Sequence, residues 1–346
     1  QQRHQRAGLQ EEQEHAQDHD AHAWRLAHML QADAHRWGAE FAEMRERAQV
    51  AWEALPKGEA SWCKAAADIA TACRVLGHYD QLVSVGESLS QLKPLPHFEA
   101  AYTEAAARTA MQLFIIGWTK HGDALLSRIA DAERLLSQTH PAVVAWFHHA
   151  RAFAALHGGD PGAYLQLCAE AARCFERAGN LRSVVNARVH LGFAYIEVGG
   201  FGEAEIALRD ALNHASRMGL HNVRATALHN LGMALARLNQ LDEAMTVELE
   251  AIRLAASQGD QRIEGASYHY LAIIHMLRGE LGQAEQEAFN ATEKLRVAPP
   301  VRAHALATLG ATRLARHHVD AALAATEEAM SLFKSLGGAE EGEVAV

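Results

Sequence analysis

Three landmarks recur in fixed register along this chain, and they constrain its fold more than any other feature. In the stretch LHNLGMALARLNQLDEAMTVELEA, residues 228–251, a Leu-Gly pair precedes an alanine by twelve residues, and a second alanine follows seven later. The same register begins at Gly192, Gly232, Ala272 and Gly310, each preceded by leucine, at spacings of 40, 40 and 38 residues. The first alanines are Ala204, Ala244, Ala284 and Ala322, and the second are Ala211, Ala251, Ala291 and Ala329. A small residue on one helix face lets an antiparallel helix come close, and small residues on that second helix accept both it and the next unit. Each period is therefore a helical hairpin. Turn-forming stretches break the two halves at GGFGEA (199–204), NQLDEA (239–244), RGELGQA (278–284) and HHVDAA (317–322).

Composition agrees with an all-helical chain. Nearly half of the residues are apolar and only 7 of 346 are proline; the segments are filled with Ala, Leu, Glu, Gln and Arg, the residues that lose least in a helix. A chain this long exceeds what one compact core usually supports, so growth by stacking suits it. The period can be followed upstream, where it places helices near 140–157 and 161–178, 97–116 and 119–137, and 59–76 and 79–92. Residues 8–54 read as one long helix or a pair broken near Trp37 and Gly38. The expectation is an all-α, right-handed superhelical solenoid of about eight hairpins. Its parts are an N-terminal helical segment or cap at 1–58, divergent hairpins at 59–180, clear repeats at 181–336 and a tail at 337–346. The chain has no initiating Met and ends in GGAEEGEVAV without a polar capping helix, which reads as a piece of a longer protein.

The repeat resembles the tetratricopeptide repeat, best in HLGFAYIEVGGFGEAEIALRDAL, where Tyr195 stands three residues after the Leu-Gly pair. Later units carry Leu235, His275 and Arg313 in place of that aromatic, and Glu248 falls where a large apolar residue is usual. The stretches PKGEASWCKAAADIATACRVLGHYDQLV, GDPGAYLQLCAEAARCFERAGNLRSVVNARVHLGFAYIEVG and SLFKSLGGAEEGE further resemble the C-terminal repeat region of large bacterial signalling proteins. In those proteins serine/threonine kinase and NTPase modules precede the repeats. The resemblance implies a bacterial, cytoplasmic, non-catalytic scaffold or sensor, with the kinase or NTPase domains of its own parent chain among its partners.

Other function classes fit poorly. The formal net charge is −10, where a duplex-binding surface needs clustered Lys and Arg, so a nucleic-acid partner is not expected. Cys63, Cys73, Cys168 and Cys174 form neither a CxxC pair nor a disulfide scaffold, and read as buried thiols. No apolar run approaches the ~20 residues that span a bilayer, and the first residues are unlike a signal peptide. Neither a P-loop nor a kinase signature occurs. No enzyme, cofactor or metal is expected. His15, His19 and His22 share a helix face, but without a third fixed ligand they make at most a weak metal contact.

The first helix of each hairpin lines the concave face of such a solenoid. Counting back from the small residues gives a stripe of Asn186, Val189, His190 and Phe193, then Thr226, His229, Asn230 and Met233, then His269, Tyr270 and Ile273. The period-matched upstream set is Trp146, His149 and Phe153. This apolar groove flanked by His, Asn and Tyr suits an extended peptide or an amphipathic helix as partner. Packing of a tight superhelix explains Val189, Phe193 and Ile273 better when each is taken alone, whereas the stripe as a whole reads as a binding surface. The shared register of His149, His229 and His269 follows from duplication, since units ~10 Å apart hold these rings too far apart for one ion. A small molecule in an enclosed groove and self-association through the end hairpins are the other readings.

Overall fold

A computed structural model describes residues 23, 24, 26–93 and 97–336. The N-terminal histidines 15, 19 and 22 and the tail after 336 lie outside the described residues. Among those described there is no strand. Helix α1 covers 26–38 and α2 Phe41–Ala54, with the break at Ala39, whose φ is +64°. There follow α3 (Ala60–Leu76), α4 (Tyr79–Gln91), α5 (Glu99–Ile115), α6 (Thr119–Arg128), α7 (Ala132–Leu136), α8 (Pro141–His157) and α9 (Pro161–Arg177). The clear repeats supply α10 (Leu181–Glu197), α11 (Phe201–Met218), α12 (His221–Arg237), α13 (Leu241–Gln258), α14 (Gln261–Leu277), α15 (Leu281–Lys294), α16 (Pro299–Ala315) and α17 (Val319–Ser335). One upstream expectation needs correcting. The span 119–137 is two short helices, because the chain turns at Ile129–Asp131 and buries Ile129 against the core.

The turns explain the period. A left-handed residue ends the first helix of successive hairpins at Gly159, Gly199, Asn239, Gly279 and His317, and a second series ends the return helices at Gly179, Gly219 and Gly259. Glycine takes this conformation without the Cβ clash, and asparagine tolerates it next best. Side-chain caps start three helices: Asp160, Asn180 and Asp260 accept hydrogen bonds from the amides of Ala163, Ser183 and Ile263 at 2.8, 3.3 and 3.1 Å.

Packing follows the repeat landmarks. All eight recurrent alanines are at most 5% exposed, and opposite them the glycines leave no room for a side chain. A Cβ on Gly192 would fall 2.5 Å from Leu208 Cγ, and one on Gly310 would fall 2.6 Å from Thr326 Oγ1. Successive helices pack as sequential neighbours from α2 to α17, except that the short α6 and α7 both pack against α8 rather than each other.

The stack also returns on itself. Helix α3 contacts α14, and Arg74 Nη2 on α3 lies 3.8 Å from Asp260 Oδ2 at the start of α14. The Tyr79 hydroxyl donates to the Val297 carbonyl. Gly117, in the turn between α5 and α6, sits against Pro300 so closely that a Cβ would be 2.9 Å from Pro300 Cγ. The inner helices thus surround a lumen, and a seam between early and late hairpins closes it. No helix among the described residues is long and apolar enough to cross a membrane.

Candidate functional site

The lumen is lined by residues of α3, α5, α8, α10, α12, α14 and α16, the inner helices of the seven hairpins from α3 onward, together with Arg36 and Trp37 of α1 and Phe41 of α2. Two adjoining cavities of about 160 and 120 Å³ share Arg74, Ile115, His190, Thr226 and Asp260, which form the waist between them. Eight residues of the expected stripe line these cavities. Phe153, Phe193, His229 and Asn230 face the larger, Trp146 and Asn186 the smaller, and His190 and Thr226 both. The other six do not. His149 is wholly buried among Trp146, Phe175 and His190, Val189 is 1% exposed in the core, and Met233 packs in the same apolar cluster as Val189. His269 bonds Thr308 Oγ1 through Nε2 at 2.8 Å, Tyr270 stacks edge-on against His229 and His269, and Ile273 is partly buried.

The opposite wall was not visible in the repeat register. It is polar and brings Arg36, Arg74, Arg108 and Arg262 to the lumen, with His157 and His304 beside them and Asp260 as the single carboxylate in the lining. Two of these arginines have carboxylates of their own behind the surface. Arg108 Nη2 donates to Asp68 Oδ1 at 2.5 Å in a fully buried pair, and Arg36 Nη2 donates to Asp33 Oδ1 at 2.5 Å. Arg74 donates through Nε to Gln112 Oε1 at 2.8 Å. Burial, together with the charges of Arg262 and Arg74, pushes the His190 imidazole down to about 4, so the ring is neutral at pH 7.

Beneath the larger cavity lies a buried polar cluster. Glu248 on α13 is wholly buried and occupies, one repeat later, the place of Leu208. Gly232 makes room for it, since a Cβ there would be 2.4 Å from Glu248 Oε1. Glu248 Oε2 is 3.2 Å from His229 Nδ1, and Ser267 Oγ is 3.1 Å from the same nitrogen. Burial holds the Glu248 carboxyl above the usual carboxylate range, against the opposing pull of His229. A carboxylate in an apolar register was the sequence signal for this cluster. It is not a hydrolytic relay, which needs the hydroxyl on one ring nitrogen and the carboxylate on the other. The Cys63, Cys73 and Cys168 thiols are pushed up to about 12 by burial, which keeps them protonated and poorly nucleophilic. Among the described residues no group of three or more potential metal ligands comes together.

Residues 183–257 match the family model for the tetratricopeptide repeat. The chain is similar in fold to a Rap protein solved with Competence and Sporulation Factor: TM-score 0.64, 12% identity, covering 80% of this chain and 77% of that one. NprR in complex with its cognate peptide NprX aligns at TM-score 0.56 and 13% identity over 90% of this chain and 96% of that one. A Signal Transduction ATPase with Numerous Domains, from Pyrococcus horikoshii and bearing a tetratricopeptide repeat sensor, aligns at TM-score 0.54 and 12% identity. There the match covers 85% of this chain but 45% of the other. No curated protein matches the sequence. At these identities the likeness is one of architecture.

Proposed function

We propose that this tetratricopeptide-repeat solenoid is a non-catalytic sensor that holds a short extended segment of protein or peptide in its lumen and relays occupancy to signalling domains of its parent chain. The observation that carries the reading is the convergence of side chains from the inner helices on two adjoining, partly open cavities. Size decides between ligand shapes. A helix with its side chains is about 10–12 Å across, whereas a cavity of ~150 Å³ holds about one benzene. Two adjoining spaces of about 160 and 120 Å³ suit a few extended residues better than the full girth of an amphipathic helix. Phe153 and Phe193 offer apolar contact, and Asn186, Thr226, His229 and Asn230 offer hydrogen bonds to a peptide backbone. NprR, which shares the architecture, was solved with a peptide, and the Pyrococcus protein carries its repeats as a sensor.

The volume of the cavities favours one alternative, a small-molecule effector of comparable size. Affinity selection separates the two. The chain is incubated with a random heptapeptide pool or with a metabolite extract, and bound species are read by mass spectrometry against a Thr226→Trp variant that fills the waist. Peptides retained by the native chain and lost from the variant are the expected result. Metabolites alone would replace the peptide reading, and equal recovery from both chains would refute lumen binding altogether.

A further inference from the structure

We infer that Glu248 and His229 share one proton beneath the larger cavity, so that His229 Nε2 presents an N–H to a carbonyl or carboxylate oxygen of the lumen's ligand. The inference rests on the proposed role of the lumen and adds the hydrogen-bond polarity of its floor.

The contacts decide which nitrogen is engaged. Glu248 Oε2 and Ser267 Oγ both meet the ring at Nδ1, at 3.2 and 3.1 Å, and the ring lines the larger cavity beside Asn230. Nε2 takes no part in these bonds and is the nitrogen left for the cavity.

Proton counting turns that geometry into a polarity. With no proton beyond the imidazole's own, Nδ1–H donates to the carboxylate and Nε2 carries a lone pair. One further proton resides either on the carboxyl, which then donates to Nδ1 and leaves the ring hydrogen on Nε2, or on the imidazole, which then bears hydrogen at both nitrogens. Both arrangements put an N–H on Nε2, so the two groups titrate as one unit.

Burial selects the state that holds the proton. Glu248 is wholly buried, and its Oε1 has no hydrogen-bond partner. A carboxylate charge in such a place is costly unless a cation matches it. Helix α12, which carries His229, packs against α10, α11, α13 and α14. Of all the charged groups these helices bring, only His229 acts on the carboxyl, with the Ser267 hydroxyl as a further hydrogen-bonding neighbour. His190 on α10 and His269 on α14 are themselves pushed down to about 4 and about 3, chiefly by burial, and Tyr270 meets the imidazole edge-on. Arg74, Asp260, Arg262, His157 and His304 line the same cavity without acting on Glu248.

The repeat gives no reason of its own for the carboxyl. Leu208 holds its place one unit earlier and Ala288 one unit later, and an apolar residue would pack there at no electrostatic cost. Glu248 is thus a positioning residue that acts through His229. Raising the pH removes the shared proton, turns Nε2 from donor to acceptor and sets it against the ligand's oxygen. Affinity is therefore full below the titration of the pair and falls by up to about tenfold per pH unit above it.

Heteronuclear NMR of the native full chain, labelled at the histidine nitrogens and with His229 assigned through its backbone, tests the inference. At pH 7 Nε2 is expected to carry hydrogen and, as the pH rises, to lose it in one step while Nδ1–H remains. In Glu248→Gln, which keeps the shape but cannot take the proton, that step should leave the range in which the native chain shows it. Acetamide and acetate are the probes: a saturable shift of the Nε2 signal is expected, weakened at least tenfold once the native step is complete and without that pH dependence in Glu248→Gln. A response to acetamide assigns a carbonyl, and a response to acetate alone a carboxylate. The native chain carries the first reading by itself, so a variant that fails to fold does not shield the inference. A lone pair on Nε2 at pH 7, no saturable response to either probe, or an unchanged pH profile in folded Glu248→Gln overturns it. Peptide capture by the lumen together with a lone pair on Nε2 would leave the lumen reading standing. A saturable acetate response with no peptide captured would sink the peptide reading and leave this subsite in place.

Discussion

Alanine substituted for glycine has opposite effects at two places only ten residues apart, and the difference follows from what a Cβ meets. At Gly202, near the start of α11, a Cβ meets nothing within 4 Å. Replacement by alanine there mainly restricts the unfolded chain and is expected to stabilise by about 0.4–1 kcal/mol. At Gly192, in the interior of α10, the same Cβ falls 2.5 Å from Leu208 Cγ and 2.7 Å from its Cδ2. Overpacking costs about 1–3 kcal/mol, and a helix-interior Gly→Ala returns about 1 kcal/mol. The net expectation is a loss of about 0–2 kcal/mol. Leu208→Ala alone removes a wholly buried side chain and should cost about 2–5 kcal/mol. In the double variant the new methyl no longer collides, so the two losses should sum to more than the measured one by about 1 kcal/mol or more. Because a repeat array need not unfold in one step, the assay is native-state hydrogen exchange of α10 and α11, which reads local opening. Stabilisation by Gly192→Ala equal to that by Gly202→Ala, or strict additivity with Leu208→Ala, would refute the close-packing argument.

Three further outcomes follow from the buried groups. His190 is held down to about 4 and His269 to about 3, chiefly by burial. Between these values and the unfolded 6.5 the unfolded chain binds more protons. Stability should therefore fall as pH drops from about 6.5 towards 4, by up to ~1.4 kcal/mol per unit for each histidine; denaturant midpoints across that range in the native chain and in His190→Gln check the slope, and equal slopes would refute the assignment. Removing either partner of the buried Asp68–Arg108 pair is expected to destabilise by about 3–5 kcal/mol, whereas Asp68→Leu with Arg108→Met should cost much less, a comparison made by chemical denaturation. Cys63, Cys73 and Cys168 should resist a thiol-specific disulfide reagent at pH 8 until the chain is unfolded; rapid modification of the native chain would contradict their burial.

The repeated hairpins were legible because packing demands were written into one register: Gly192 with Ala204 and Ala211, and their counterparts 40 residues on. The same register named eight of the residues that line the lumen, from Trp146 and Phe153 to Thr226 and Asn230, since inner-helix positions recur with it. It misassigned Val189, Met233 and His149 to the groove, because one helical step turns a residue from the lumen into the core. Arg74 and Arg262 could not be found this way. Their helices, α3 and α14, meet across the axis of the superhelix, and the curvature that brings α3 to α14 is the accumulated rotation of several interfaces, each set by local packing and none marked by a motif.

The α3–α14 seam changes the statistics of opening. In a linear array the end units fray first, since each loses one interface and frees its neighbour. Here α3 cannot detach without also giving up Asp260, and α4 cannot do so without giving up the carbonyl of Val297. The array therefore behaves as a nearly periodic chain, in which early and late units are neighbours and a disturbance at one is felt at the other without passing through the repeats between. Severing the seam, for example with Tyr79→Phe and Arg74→Gln together, should restore fraying ends and divide one cooperative unit into several.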